Sequence, residues 1–134
     1  MPVPPTVRPS YEPSMREKLT GNWGENLARK FLRKKGYRFV ASNFQCRMGE
    51  IDLIMEDRNT LVFVEVKTRK SPDFAQGREF VDYHKQNRIR STASYYLARN
   101  ETDKAIRFDI VEIYAPEGAQ TTKPIINHLE DAFI

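Results

Sequence analysis

The sequence predicts one mixed α/β domain, and three observations carry that reading. An amphipathic run before Gly36 has helical period, three β-rich runs follow it, and a second amphipathic run precedes another strand. The expected order is αβββαβ plus a short C-terminal element, which belongs to the mixed α/β class. The chain has 134 residues, 40% hydrophobic and 30% charged, enough for one globular body with its own core.

Residues 1–14 hold Pro2, Pro4, Pro5, Pro9 and Pro13, a density that no helix or central strand accepts. They are expected to form a flexible tail, with the domain occupying 15–134. The first helix is expected to start near Thr20–Asn22, with Thr20 or Asn22 as its cap, and to stop at Gly36. Its apolar stripe is Trp23, Leu27, Ala28, Phe31 and Leu32. Gly24 lies on that stripe and lets another backbone approach closely. Strands are expected over Tyr37–Phe44, Gly49–Glu56 and Leu61–Thr68. Ile51, Leu53 and Met55 alternate onto one face of the second, while the third reads as buried on both faces. Asp57-Arg58-Asn59-Thr60 suits a four-residue hairpin turn. A second helix is expected over about Phe80–Arg99, with Ile89, Ala93, Tyr96 and Leu97 inward. A strand over Ala105–Tyr114 comes next, then a short edge strand at Ile125-Ile126. Leu129, Ala132 and Phe133 are expected to pack back as a final turn.

The net charge is +4, but its distribution says more. Arg29, Lys30, Arg33, Lys34, Lys35 and Arg38 crowd one stretch; Lys67, Arg69, Lys70, Arg78, Lys85, Arg88 and Arg90 crowd another. The C-terminal part is acidic. Segregated positive charge favours a polyanionic partner through counterion release. No apolar run approaches the roughly 20 residues of a membrane span, and no apolar leader follows Met1, so a cytoplasmic location with no membrane association is expected. Cys46 is the only cysteine, which excludes an intramolecular disulfide and argues against a thiolate zinc cage.

The hairpin carries the chemistry. Closing the turn over residues 57–60 pairs Glu56 with Leu61, so Asp52 falls opposite Glu65, and Lys67 shares their face. Facing carboxylates about 5 Å apart repel by roughly 3 kcal/mol at an effective dielectric near 20. Glu65 also interrupts a run that reads as interior strand, and a carboxylate there needs a partner. A divalent cation is one; an Asp52–Lys67 or Glu65–Lys67 ion pair is another. Oxygen ligands without nearby His or Cys point to Mg²⁺, with Mn²⁺ as substitute. Lys67 can orient a water or neutralise charge on a phosphoryl group. Glu25, in line with Ala28 and Leu32, reads either as a third acid looking toward the sheet or as an exposed first-turn glutamate favoured by the helix dipole. Lys85 and Gln86 fall on the inner side of the second helix, where Lys85 can contact a phosphate and Gln86 a substrate or water. His84 and His128 have no spaced catalytic partner and read as structural, and Trp23, Tyr95 and Tyr96 read as core.

The pattern GNWGENLARKFLRKKGY, then GEIDLIMED, LVFVEVKTR, KQNRI and RFDIV, resembles the YraN-like family of bacterial proteins. That family is similar to archaeal Holliday-junction resolvases and the PD-(D/E)xK restriction-endonuclease-like superfamily. The resemblance spans about residues 15–134. It implies a mixed central β-sheet flanked by helices, an Mg²⁺ site on that sheet, and DNA as the partner. The family's first-helix glutamate falls on Glu25. Its strand aspartate falls on Asp52, preceded by Glu50, and the (D/E)xK motif on Glu65-Val66-Lys67. The basic stretch of the second helix falls on Lys85, Gln86 and Arg88. The expected function is Mg²⁺-dependent cleavage of DNA phosphodiesters on branched or damaged DNA. Asp52, Glu65 and Glu25 would hold the metal, Lys67 the attacking water, and Arg69, Lys85 and Arg88 the phosphates. The alternative is a non-cutting nucleic-acid binder on a nuclease scaffold. A homodimer is expected by analogy with junction cutters, which need two active sites.

Overall fold

The computed structural model describes residues 15–70 and 82–133, with side chains from residue 21 onward. The proline-rich segment 1–14, Arg78 and the expected start of the second helix at Phe80 lie outside the described residues.

Helix α1 spans Met15–Lys34. Its start precedes the expected caps: Thr20 and Asn22 lie inside it. Met15, Arg16, Glu17, Lys18 and Leu19 are good helix formers, so the helix runs back almost to Pro13. It ends as expected at Gly36, with φ 97°. Tyr37 N–H donates to Leu32 O and Gly36 N–H to Arg33 O, both at 3.0 Å, which is the Schellman pattern that satisfies the last carbonyls.

Strands β1 (Arg38–Cys46), β2 (Gly49–Asp57), β3 (Thr60–Arg69), β4 (Ala105–Tyr114) and β5 (Ile125–Phe133) form one sheet in the order β1-β2-β3-β4-β5. Only the β3–β4 pairing is parallel. Helix α2 (Tyr83–Arg99) lies between β3 and β4 in sequence, as a crossover between parallel neighbours requires. Ala28 and Leu32 of α1 pack with Leu53, Met55, Val62 and Val64 on one face. Ile89 and Ala93 of α2 pack with Ile51, Ile54, Leu61 and Phe63 on the other. Strand β3 is therefore buried on both faces, as its composition implied.

The β2–β3 register agrees with expectation, with Glu56 opposite Leu61, but Asp57 also pairs with Thr60. The loop is thus two residues, Arg58-Asn59, rather than four. It closes through Arg58 at φ 55°, a left-handed residue of the sort that matches the twist of a tight hairpin.

Two further expectations are corrected. Ile51 does not share a face with Leu53 and Met55; it packs on the α2 side while they pack on the α1 side. The alternation breaks where β1 faces Asp52, at Asn43, which adopts φ 51°. Asparagine tolerates the left-handed region better than most residues, and the kink turns the ribbon over. The C-terminal segment is one nine-residue strand rather than an edge strand and a turn. Asp131 at φ 52° absorbs a register shift, and its N–H donates to Asp109 Oδ1 at 3.0 Å, so pairing resumes at Phe133.

Candidate active site

The paired ladder of β2 and β3 runs from Asp57↔Thr60 to Leu53↔Val64. One residue further, Asp52 Oδ2 accepts the Val66 N–H at 2.8 Å. A side chain thus holds the strands where the main-chain ladder leaves off, and Asp52 sits in the fork between the two faces.

Glu25 arrives from α1. Its neighbour Gly24 makes this possible: a Cβ there would overlap the Thr68 hydroxyl of β3, so only glycine lets the helix lie this close. A carboxylate oxygen from each of Glu25, Glu50 and Asp52 lies within 4.8 Å of the others. Glu25 hydrogen-bonds Asn43 and Asp52; a bond between two carboxyl groups requires a proton on one of them. Burial, with the charges of Glu50 and Glu65, raises the Glu25 pKa. Asp52 is pushed well above the usual carboxylate range, first by burial and then by Glu65.

Glu65 lies on the α2 side and is buried, at 7% exposure. Lys85 Nζ reaches its Oε1 at 2.7 Å and Lys67 Nζ at 3.7 Å. Burial and then the neighbouring Lys85 lower the Lys67 pKa. Burial opposes the charge on Lys85, but the Glu65 carboxylate more than offsets it and the net shift is upward. Lys85 is placed by the α2 N-terminus, where Asp82 Oδ1 accepts the Lys85 N–H at 2.9 Å as N-cap.

An open cavity of about 470 Å³ joins these groups; Glu50, Asp52, Glu65, His84, Lys85 and Arg88 are in its wall. Gly49 brings α2 against the β1–β2 turn, since a Cβ there would come within 3.0 Å of Thr92 Oγ1. Arg88 Nε donates to Met48 O at 3.3 Å across the same contact.

Of the residues singled out from sequence, Asp52, Glu65, Lys85 and Arg88 meet at this cavity. Glu25 joins through the acidic cluster, and Lys67 through Glu65. Two point elsewhere. Arg69 Nε lies 3.3 Å from Glu112 Oε2, a fully buried carboxylate. Gln86 Oε1 accepts from Arg90 Nη2 at 3.1 Å. Glu50 was seen only as the neighbour of Asp52, and Asn43 was not seen at all. The GEID spacing could have signalled Glu50; a single asparagine in a strand carries no signal. Three carboxylates without nitrogen or sulfur suit a hard divalent cation, and burial together with the neighbouring carboxylates raises the carboxyls of Glu25 and Asp52.

The model of an uncharacterised protein family, UPF0102, matches residues 24–113. A UPF0102 protein of Caldicellulosiruptor bescii is 47% identical over 121 residues, covering 89% of this chain and all of that one. Another, from Caldanaerobacter subterraneus subsp. tengcongensis, is 45% identical over 119 residues, covering 87% and 96%. A third, from Clostridioides difficile, is 36% identical over 120 residues, covering 89% of this chain and all of its own. Among the described residues, no helix is long and apolar enough to cross a membrane.

Proposed function

The chain belongs to UPF0102, the YraN-like family, and from that premise we propose that it is a metal-dependent nuclease hydrolysing DNA phosphodiester bonds. The observation that supports this most is the convergence of Glu25, Glu50 and Asp52 oxygens within 4.8 Å, beside a buried Glu65 flanked by two lysines. Glu25, Glu50 and Asp52, whose oxygens converge, would hold Mg²⁺, or Mn²⁺ in its place, with Glu65 facing the same cavity as a further acid. The ion, when bound, supplies Lewis-acid stabilisation of phosphoryl charge and a more acidic water.

The chain's own groups do the rest. Lys67, whose amine burial and Lys85 make less basic, orients the attacking water and accepts a hydrogen bond from it when neutral. Lys85 stays protonated and faces the cavity, where it and Arg88 receive the phosphate. Asp52 bridges β2 to the Val66 N–H and so fixes the distance between the acidic cluster and the Glu65-x-Lys67 strand.

The test is cleavage of linear, flapped and four-way DNAs with Mg²⁺ or Mn²⁺. Wild type should cut at least one of them, and Asp52→Asn, Glu65→Gln and Lys67→Ala should each lose at least about 100-fold in rate while circular dichroism stays unchanged. Wild type that leaves the whole panel intact would refute the reading.

The lysine bonds to Glu65 favour one other reading, a non-cutting nucleic-acid binder in which lysines rather than a metal neutralise the acid. In that case DNA binding needs no metal, and Glu65→Gln binds as well as wild type.

A further inference from the structure

A second concavity, of about 480 Å³, lies where α1 turns into β1, and Arg33, Gly36, Tyr37, Arg38 and Phe39 line it. Phe39 is 40% exposed on an edge strand of the sheet. The Arg29 guanidinium sits over its ring, 4.9 Å from the centroid. Arg38 reaches into solvent, its side chain 84% exposed, in loose contact with Glu56 at 3.9 Å. None of the described lining residues is acidic.

A lone exposed aromatic is ordinary on a protein surface. Here the aromatic lies among three guanidiniums, at the rim of a hollow large enough for a nucleotide. That combination suits single-stranded nucleic acid: a flat apolar ring for a base and cations for the flanking phosphates. The patch also continues the acidic cluster. Glu25, Arg29 and Arg33 are spaced four residues apart on α1, about 6 Å per step, and so form a row along one side of the helix. On the sheet, Phe39 pairs with Met55, three residues from Asp52 and therefore about 10 Å along the strand.

We propose that this concavity binds an unpaired nucleotide of a DNA strand, with the base stacked on Phe39 and its neighbouring phosphates held by Arg33 and Arg38. The inference rests on the nuclease reading for the identity of the strand and adds to it a substrate class: DNA with a single-stranded segment.

The test is fluorescence anisotropy of the full chain in EDTA, so that binding is read without cleavage. The probes are a short oligo(dT), an abasic strand of the same length, a blunt duplex, and oligo(U). Wild type should bind oligo(dT) more tightly than the abasic strand. Phe39→Ala should weaken oligo(dT) binding about tenfold and change abasic and duplex binding by less than about twofold; Phe39→Trp should restore the preference. Arg33→Gln should weaken every probe and lower the salt dependence by about one ion. Unchanged oligo(dT) binding by Phe39→Ala, or an equal loss on the abasic strand, overturns the stacking site. Tighter Phe39-dependent binding of oligo(U) overturns its assignment to DNA. The two readings fail separately: metal-dependent cleavage with Phe39-independent binding sinks this one alone, whereas Phe39-dependent binding without cleavage sinks only the nuclease.

Discussion

At Asp52 the fold keeps a carboxyl group whose charge it resists. Burial and the Glu65 carboxylate raise its pKa well above the ordinary value, so ionising it at neutral pH costs the metal-free protein stability. A folded pKa above the unfolded one means that the contribution is present in acid and lost as pH rises through the folded value. Asp52→Asn keeps the shape and an oxygen for the Val66 N–H while removing the charge. It should therefore raise the melting temperature in EDTA by about 3 °C, roughly the shift that 1 kcal/mol gives in a domain of this size, while cleavage is lost. Differential scanning calorimetry at neutral pH checks this, and a lower melting temperature would contradict it. Such opposed effects mark a group retained for function at the expense of stability. Glu65 and Lys67 were legible as a same-side pair because β-strands repeat every two residues, whereas Asp52 lies where the ladder ends and the alternation breaks. Asn43 was not legible, because its role depends on a left-handed backbone at one rung of a ladder.

At the scale of elements, the site depends on how closely α1 lies against β3. Gly24 sets that distance through Thr68, and Glu25 follows it in the chain. Gly24→Ala should lift the helix and destabilise the fold by about 1–3 kcal/mol, despite the better helix propensity of alanine. Thr68→Ala removes the clashing oxygen, so the double variant should recover most of the loss. Urea unfolding of the four proteins in a double-mutant cycle measures the coupling, and additive losses would refute the contact. The close approach was readable from a glycine on an apolar stripe; its partner Thr68 was not. The helix start was misplaced because Thr20 and Asn22 resemble caps, yet nothing between Met15 and Asn22 breaks a helix strongly enough to make them so. The overturned alternation at Ile51 has the same origin as the hidden role of Asn43. Period-2 reasoning assumes an unbroken ribbon, and the kink opposite Asp52 breaks it.

Across the whole molecule a second polar network joins the far end of the sheet to α1. Asp109 is fully buried. Arg107 donates to its Oδ1 at 2.8 Å and to its Oδ2 at 2.9 Å, and His128 Nε2 lies 2.7 Å from Oδ2. Lys35 Nζ, just past the end of α1, lies 2.8 Å from His128 Nδ1. Because an ammonium can only donate, Nδ1 accepts and Nε2 carries the proton that goes to Asp109. Burial raises the Asp109 pKa, but the bonds from His128 and Arg107 outweigh it and hold the carboxyl below its usual range. A folded pKa below the unfolded one gives stability that is full above about pH 4 and drains away as pH falls through the folded value. Asp109→Asn should cost about 3 kcal/mol at neutral pH and flatten the acid limb of the melting curve. Melting temperatures between neutral pH and acid check both effects; a variant that keeps the wild-type acid slope would place the titrating group elsewhere. Tyr37 belongs to the same network, its hydroxyl accepting from Arg107 Nη2 at 2.7 Å, and burial, the largest effect, pushes its pKa up to about 12.

What the sequence determined by itself is what local periodicity and composition encode: the αβββαβ order, the helix stop at Gly36, the doubly buried β3 and the hairpin register that pairs Glu56 with Leu61. These follow from forces between residues near in the chain, where one repeat length decides which way a side chain points. Only the tertiary structure decided which charges meet: that Glu50 joins Glu25 and Asp52, that Lys85 reaches Glu65, that Arg69 turns to a buried Glu112, and that His128 couples Asp109 to Lys35. Those contacts join residues up to 93 positions apart. Their partners are chosen by packing and by the need to compensate each buried charge, and neither is written in the spacing of any single segment.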